Sequence, residues 1–332
     1  MENGRIRSFL RWLPALVLVF CSAMGYAGGY AGHPGAAAFI DELIAEENFS
    51  RGELEILLGE AQRKESILAA ISRPAEKTKA WYEYREIFVT ETRTSQGVEF
   101  YNAYAASLQR AEREFGVPAE VIVAIIGVET RYGRNKGSYR VIDALSTLAF
   151  DYPKRSKFFT QELKHFLILS RDQGLPAAEL LGSYAGAMGY GQFMPSSYRS
   201  YAVDFDGDGV VDIWNNPVDA IGSVANYFSR HGWRPGEAVV SRAQVAGGYR
   251  QELVNAGLKP TLTVADFTSG EISPLQSLPE DSLATVMAFE GKAGTEHWMG
   301  LYNFYVITRY NHSAMYAMSV FQLSQKIDAR FK

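Results

Sequence analysis

The sequence predicts a mainly α fold of the α+β class, on three observations. Patterns of helical period follow one another from about residue 36 to residue 234. One of them, Pro118–Gly133, is apolar nearly all round and is expected to be a buried central helix. Between Pro235 and Gly300 the helical period fades, turn residues multiply and short β-type runs appear, so a small β-rich insertion is expected there.

Composition sets the outer bounds. The chain has 332 residues, 47% hydrophobic and 21% charged, with a formal net charge of −4. That is an ordinary globular composition without the basic footprint of a nucleic-acid binder. Residues 1–27 read as a signal peptide: Arg5, Arg7 and Arg11, then an apolar run from Leu13 to about Met24, then Gly25-Tyr26-Ala27. The run is too short to span a bilayer. The only cysteine, Cys21, lies inside this leader, so no intrachain disulfide can form. Cleavage near Ala27 predicts a periplasmic protein. Lipid attachment at Cys21 would instead anchor it to the outer membrane, but Phe20 stands where lipoprotein signals want a small residue.

Residues 28–35 are a Gly-rich linker, and 36–116 read as an N-terminal helical domain. Phe39, Ile40, Leu43 and Ile44 form one stripe. Ser50 and Glu53 form a capping box for the next helix, with Leu54, Leu57 and Leu58 inward. Pro74 breaks the pattern. Trp81, Tyr84, Arg85 and Phe88 share a face, and a further single helix is expected over Val98–Phe115.

Residues 117–234 form the expected core. In Pro118–Gly133, Pro118 suits a first turn and Gly133 a left-handed residue beyond the helix end. Ile122, Ile126 and Glu129 lie on one face, so the single acid of the last turn points toward apolar surroundings that would raise its pKa. A carboxyl still protonated near neutrality is a candidate general acid. The alternative is an exposed helix-end Glu paired with Arg131. Helical patterns over Val141–Phe150 and Lys154–Leu169 follow. Gly182–Ser197 is dense in glycine and alanine, which suits either tight packing or a cleft wall with Ser183 and Gln192 as polar contacts.

Asp204, Asp206 and Asp208, with Gly209 and the Val210 carbonyl, match the start of an EF-hand loop. Position 12 is Asn215 rather than Glu, so Asp219 would close the site in a lengthened loop over 204–219. The alternative is an Asp/Gly-rich turn without metal. Pro217–His231 reads as a helix with Tyr227 beside its apolar stripe. Residues 301–332 return to helical sequence, with Tyr310, Asn311 and Tyr316 around the start of a last amphipathic helix. No Ser/His/Asp triad, zinc motif or phosphate loop is present.

IIGVETRYG, GSYAGAMGYGQFMPSSY, DFDGDG…W…PVDAIGSVANYF and NFYVITRYNHSAMYAMSV occur in this order. Together they resemble the membrane-bound lytic transglycosylase B family of peptidoglycan-cleaving enzymes, over essentially Ala36 to the end. The resemblance implies a lysozyme-like helical core for 117–234 and 301–332, and cleavage of the MurNAc-β-1,4-GlcNAc bond with formation of 1,6-anhydromuramoyl ends. It implies Glu129 as single acid/base. Ser183, Gln192, Tyr227, Tyr310, Asn311, Tyr316 and Tyr84 become substrate contacts, and Asp204, Asp206, Asp208, Val210 and Asp219 ligands of a structural Ca2+. The implied partner is the glycan strand, met by a monomer that other cell-wall enzymes could accompany. No organic cofactor is expected. Rival readings are a hydrolytic muramidase, using the same Glu with water, and a non-catalytic peptidoglycan-binding protein.

Overall fold

A computed structural model describes residues 29–72 and 79–331. The expected leader with Cys21, and Pro74, lie outside these residues. Six helices open the chain: α1 (Pro34–Glu47), α2 (Arg51–Glu60), α3 (Glu65–Ile71), α4 (Trp81–Phe88), α5 (Glu91–Ala103) and α6 (Ala105–Phe115). α2 and α5 are started by side chains that relieve unpaired first-turn N–H groups. Ser50 Oγ accepts from Glu53 N, and Thr90 Oγ1 from Arg93 N. The single helix expected over Val98–Phe115 is instead two, broken at Tyr104, whose φ of −122° and ψ of 25° leave the helical region. The ring of Tyr104 packs 4.8 Å from Phe100 at this joint.

The next helix, α7 (Ala119–Thr130), is the axis of the molecule. Ten of its twelve residues are buried, as expected of a run apolar on every side. It packs against α5 and α6, and against two later helices, α11 (Pro217–Arg230) and α14 (Ala314–Asp328). Between them come β1 (Tyr139–Arg140), α8 (Val141–Asp151), α9 (Ser156–Asp172), β2 (Leu181–Gly182) and α10 (Pro195–Tyr201). One continuous hydrophobic cluster runs from Phe39 in α1 through α7 to Leu323 in α14.

The sequence from residue 240 to residue 300 folds into β3 (Val240–Val245), β4 (Leu262–Thr263), a short α12 (Val264–Ser269), β5 (Ile272–Pro274), β6 (Leu283–Gly291) and β7 (Gly294–Gly300). These strands form one antiparallel sheet in the order β4-β6-β7-β3-β5. A second hydrophobic cluster around Phe267, Val286 and Met299 supports it. The chain leaves β7 through Leu301 into α13 (Tyr302–Tyr310), and the short turn 311–313 delivers α14 back onto α7. That return brings the C-terminal residues to the end of the central helix.

Candidate active site

The last turn of α7 is held in an unusual conformation. Arg131, Tyr132 and Gly133 are all left-handed, with φ of 51°, 59° and 82°. Only Gly133 adopts this freely, and each non-glycine residue there costs on the order of 1 kcal/mol or more. The left-handed exit thus begins two residues before the glycine that marks it in the sequence. Thr130 fixes it. Its hydroxyl bonds the Tyr190 carbonyl at 2.9 Å and accepts from Gly133 N at 3.0 Å, while the Tyr132 hydroxyl donates to the Arg93 carbonyl at 2.9 Å. Neither Thr130 nor Tyr132 stands out in the sequence, because their partners lie 60 and 39 residues away.

Glu129, two residues before this exit, is partly exposed while its neighbours on both sides are buried. It is not paired with Arg131. Its Oε1 accepts from the Tyr316 hydroxyl at 2.5 Å. Burial pushes the Glu129 carboxyl up to about 7, and the Tyr316 hydrogen bond, which favours the ionised form, works in the opposite direction. No second carboxylate contributes to the shift. Moving the group from 4.5 to about 7 corresponds to roughly 3 kcal/mol favouring the neutral acid.

Two tyrosines share this environment. Tyr316 is buried, and Tyr310 lies near enough for the Glu129 charge to hold its hydroxyl proton more tightly, beyond the effect of burial. The Tyr310 hydroxyl donates to the Gly191 carbonyl at 2.6 Å, which ties α13 to the Gly-rich hairpin over 182–193. Tyr227 stands behind Tyr310, edge to face at 4.7 Å. Its ring stacks on His231, and its hydroxyl is spent on the Arg309 carbonyl at 2.6 Å. It therefore buttresses Tyr310 instead of presenting a free hydroxyl. Tyr84 is buried beside Phe88 and near Tyr316.

On the hairpin, Gln192 is left-handed at φ 50° and donates from Nε2 to the Gly189 and Lys136 carbonyls, which leaves Oε1 as an acceptor. Ser183 closes the other end, its Oγ accepting from Ala185 N and Ala187 N. Asn311 is exposed in the turn before α14. The side chains drawn closely around Glu129 are thus Tyr316 and Tyr310, with Tyr84 near Tyr316 and Gln192 joined through the neighbouring Gly191 carbonyl.

The acidic loop is built around Asp219, which is fully buried at the N-terminus of α11. Its oxygens accept from Phe205 N at 2.7 Å and Asp212 N at 2.8 Å. Burial raises its pKa, against those two hydrogen bonds. Asp204 accepts from three loop amides, Gly209 foremost, which hold its carboxyl below the usual range. Carboxylate oxygens of Asp204, Asp206 and Asp219 lie within 4.8 Å of one another. Three hard oxygen donors at that spacing suit a divalent cation. Asp208, expected among the ligands, is not in this cluster. Its Oδ1 turns back to accept from Val210 N at 2.8 Å.

Comparisons with known proteins agree with this geometry. Residues 31–325 match the family described as the transglycosylase SLT domain. The chain is 44% identical over 315 residues to the membrane-bound lytic murein transglycosylase B of Escherichia coli, covering 92% of this chain and 86% of the relative. It superposes on the catenated lytic transglycosylase SltB1 of Pseudomonas aeruginosa with a TM-score of 0.88 at 53% identity, covering 91% of this chain and all of that one. It superposes on the Escherichia coli lytic transglycosylase Slt35 in complex with calcium at 0.84, with 44% identity over 92% and 96% of the two chains.

Proposed function

The chain belongs to the transglycosylase SLT family of peptidoglycan lytic transglycosylases, and from that premise we propose that Glu129 is the single acid and base of its reaction. One observation carries this reading. Glu129 is a partly exposed residue whose carboxyl has a pKa raised to about 7 by burial, is hydrogen-bonded by Tyr316 and has no second carboxylate close enough to perturb it. Glycosidases that recruit water or a protein nucleophile use a pair of carboxylates about 5–10 Å apart. A lone acid suits a substrate that supplies its own nucleophile.

The proposed sequence begins with neutral Glu129 protonating the oxygen between N-acetylmuramic acid and N-acetylglucosamine. The C1–O bond breaks, and the glucosamine leaves with its 4-hydroxyl restored. The muramoyl C1 takes on oxocarbenium character, stabilised by its own N-acetyl group. Glu129, now ionised, removes the proton from the C6 hydroxyl as O6 bonds to C1. The 1,6-anhydro ring closes, no water is consumed, and Glu129 ends neutral. One well-placed acid/base is worth roughly 10²–10⁴ in rate. The wall of Tyr310, Tyr316, Gln192, Ser183 and Asn311 is proposed to supply positioning, with Tyr227 and Tyr84 behind it.

Product mass separates this from hydrolysis, because anhydro products are lighter by one water. Glu129→Gln keeps the shape and removes the proton, and purified sacculi should then release no anhydro fragments. A variant keeping more than about a tenth of wild-type activity would remove Glu129 from the role.

Calcium is proposed to sit among Asp204, Asp206 and Asp219. The convergence of their oxygens and the calcium-bearing relative support it. Bound there, it would neutralise the acidic loop and pin it to α11, a structural task. Cleavage of the leader is proposed to leave a periplasmic monomer acting on the glycan strands of the sacculus. No helix among the described residues is long and apolar enough to cross a membrane.

A further inference from the structure

On the outer side of α14, where its second half meets α4 and the sheet, lies a groove of about 340 Å³. It is separate from the catalytic cleft. Gln325, which lines it, follows Tyr316 by about two and a half helical turns, so it stands on the opposite side of α14 and about 14 Å further along.

Arg85, Arg242 and Lys326 line the groove, and none of its lining residues is acidic. Arg242 is already engaged: it pairs with Glu296 at 2.7 Å and lies over the Trp298 ring at 4.9 Å. Arg85 and Lys326 enter no ion pair among the described residues. Arg85 is nonetheless held in place. Its Nε donates to Gln322 Oε1, which leaves its two other guanidinium nitrogens and the Gln322 amide nitrogen as donors. Lys326 lies one turn beyond Gln322 on the same face of α14. Trp298 and Phe321, edge to face at 6.4 Å, supply apolar wall, and Gln325 adds a further amide.

Unpaired cations, amides and rings in one groove fit a sugar that carries its own carboxylate. Sugar C–H groups pack on aromatic rings, hydroxyl and N-acetyl groups pair with amides that donate and accept, and a carboxylate suits a guanidinium and an ammonium together. N-acetylmuramic acid is such a sugar once its lactyl carboxyl is free, because that group stands one ether-linked carbon from the ring. While a peptide is attached, the same carboxyl is an uncharged amide.

We propose that this groove binds glycan strands from which the peptides have been removed. Arg85 and Lys326 hold the free lactyl carboxylate, and the sugar lies against Trp298 and Phe321. The class of reaction that supplies this ligand is hydrolysis of the amide between lactyl group and peptide. The bound stretch is not the one being cut, since the groove faces away from Glu129, and it keeps the enzyme on the sacculus between cuts. The inference rests on the transglycosylase reading above for the identity of the polymer.

The test measures binding to soluble glycan strands in a Glu129→Gln background, where nothing is cut. Three strands are compared: peptide-free, peptide-free with the lactyl carboxylates amidated, and peptide-bearing. The parent should bind the first most tightly. Arg85→Gln with Lys326→Gln should weaken that binding about tenfold, the scale of two exposed charge pairs, and added salt should erase the difference. On amidated strands parent and variant should bind alike. Both side chains belong to exposed residues, so the variants should fold, and Lys326→Gln alone reports where the pair does not. With Glu129 restored, the double variant should keep wild-type kcat/KM on fragments too short to reach from the cleft to the groove. Equal binding of parent and folded variant to peptide-free strands, or tighter binding to peptide-bearing ones, overturns the proposal. An acidic peptide that binds the groove and is not displaced by peptide-free strands would give the site to a protein partner and overturn it as well. Wild-type enzyme releasing only hydrolysed ends would overturn the anhydro reading while leaving these binding differences measurable.

Discussion

The Tyr316 hydroxyl donates to Glu129 Oε1 at 2.5 Å, joining the last turn of α7 to the first turn of α14 across 187 residues of sequence. The bond sets the acidity of Glu129 from the side opposite to burial. Burial favours the neutral acid, and the tyrosine favours the ion that must form after the proton is given up.

Tyr316→Phe removes only the hydroxyl. Without that donor the Glu129 carboxylate loses a stabilising partner, so its pKa should rise further above 7. The alkaline limb of the kcat/KM profile should move to higher pH. The maximum should fall by roughly one to two orders of magnitude, because the ionised form that accepts the C6 proton becomes costlier. A pH–rate profile of the two enzymes checks this, and a limb that stays put or moves down would count against it.

Glu129→Gln should stabilise the fold in a pH-dependent way. Below about pH 4.5 the carboxyl is protonated in both folded and unfolded chains and costs little. As pH rises from there toward 7 the unfolded chain releases its proton first, so the wild type loses stability across that window. Glutamine does not titrate. The gain in melting temperature should therefore be small at pH 4, grow through pH 7 and level off above it, at on the order of 3 kcal/mol. Thermal melts of both proteins at pH 4, 6 and 8 measure it.

How much of this was legible beforehand depends on the range of each interaction. The burial of α7 follows from Val121, Ile122, Val123, Ile125 and Ile126, which leave no polar face, and Glu129 is conspicuous as the acid of its last turn. The partner Tyr316 follows only from family resemblance, because nothing local couples residues 129 and 316. The loop acids were visible as a spacing. Which of them converge was not, since Asp219 enters from the helix that follows and its oxygens lie with those of Asp204 and Asp206. The left-handed pair Arg131-Tyr132 is decided by carbonyls far along the chain. The groove beside α14 was invisible for the same reason, being assembled from residues 85 to 326.

Removing calcium should lower the melting temperature without abolishing the fold, since Asp219 keeps its two backbone hydrogen bonds. Binding at a hundredfold excess over Kd stabilises by about 2.7 kcal/mol, which is several degrees for a chain of this size. Asp206→Asn retains an oxygen but loses the charge, so it should shrink the calcium-dependent shift. Melts in chelator and in millimolar calcium compare the two. Equal shifts in wild type and variant would place the ion elsewhere.

Gly191→Ala tests the opposite wall. A Cβ there would lie 2.8 Å from Tyr310 Oη and 3.1 Å from Val224 Cγ2. The tyrosine cannot simply withdraw. Its ring is stacked on Phe228 and braced by Tyr227, and its hydroxyl is bonded to the very carbonyl that Gly191 provides. Overpacking of this sort costs about 1–3 kcal/mol and shifts the neighbours, so activity should fall about tenfold as Tyr310 is displaced. Tyr310→Phe removes the atom that the new methyl would meet. If the clash with Oη is the cause, adding Gly191→Ala to Tyr310→Phe should cost much less than adding it to the wild type, in both melting temperature and kcat/KM. Additive losses would instead assign the damage to Val224 and the hairpin backbone, and would detach Tyr310 from the shaping of this wall.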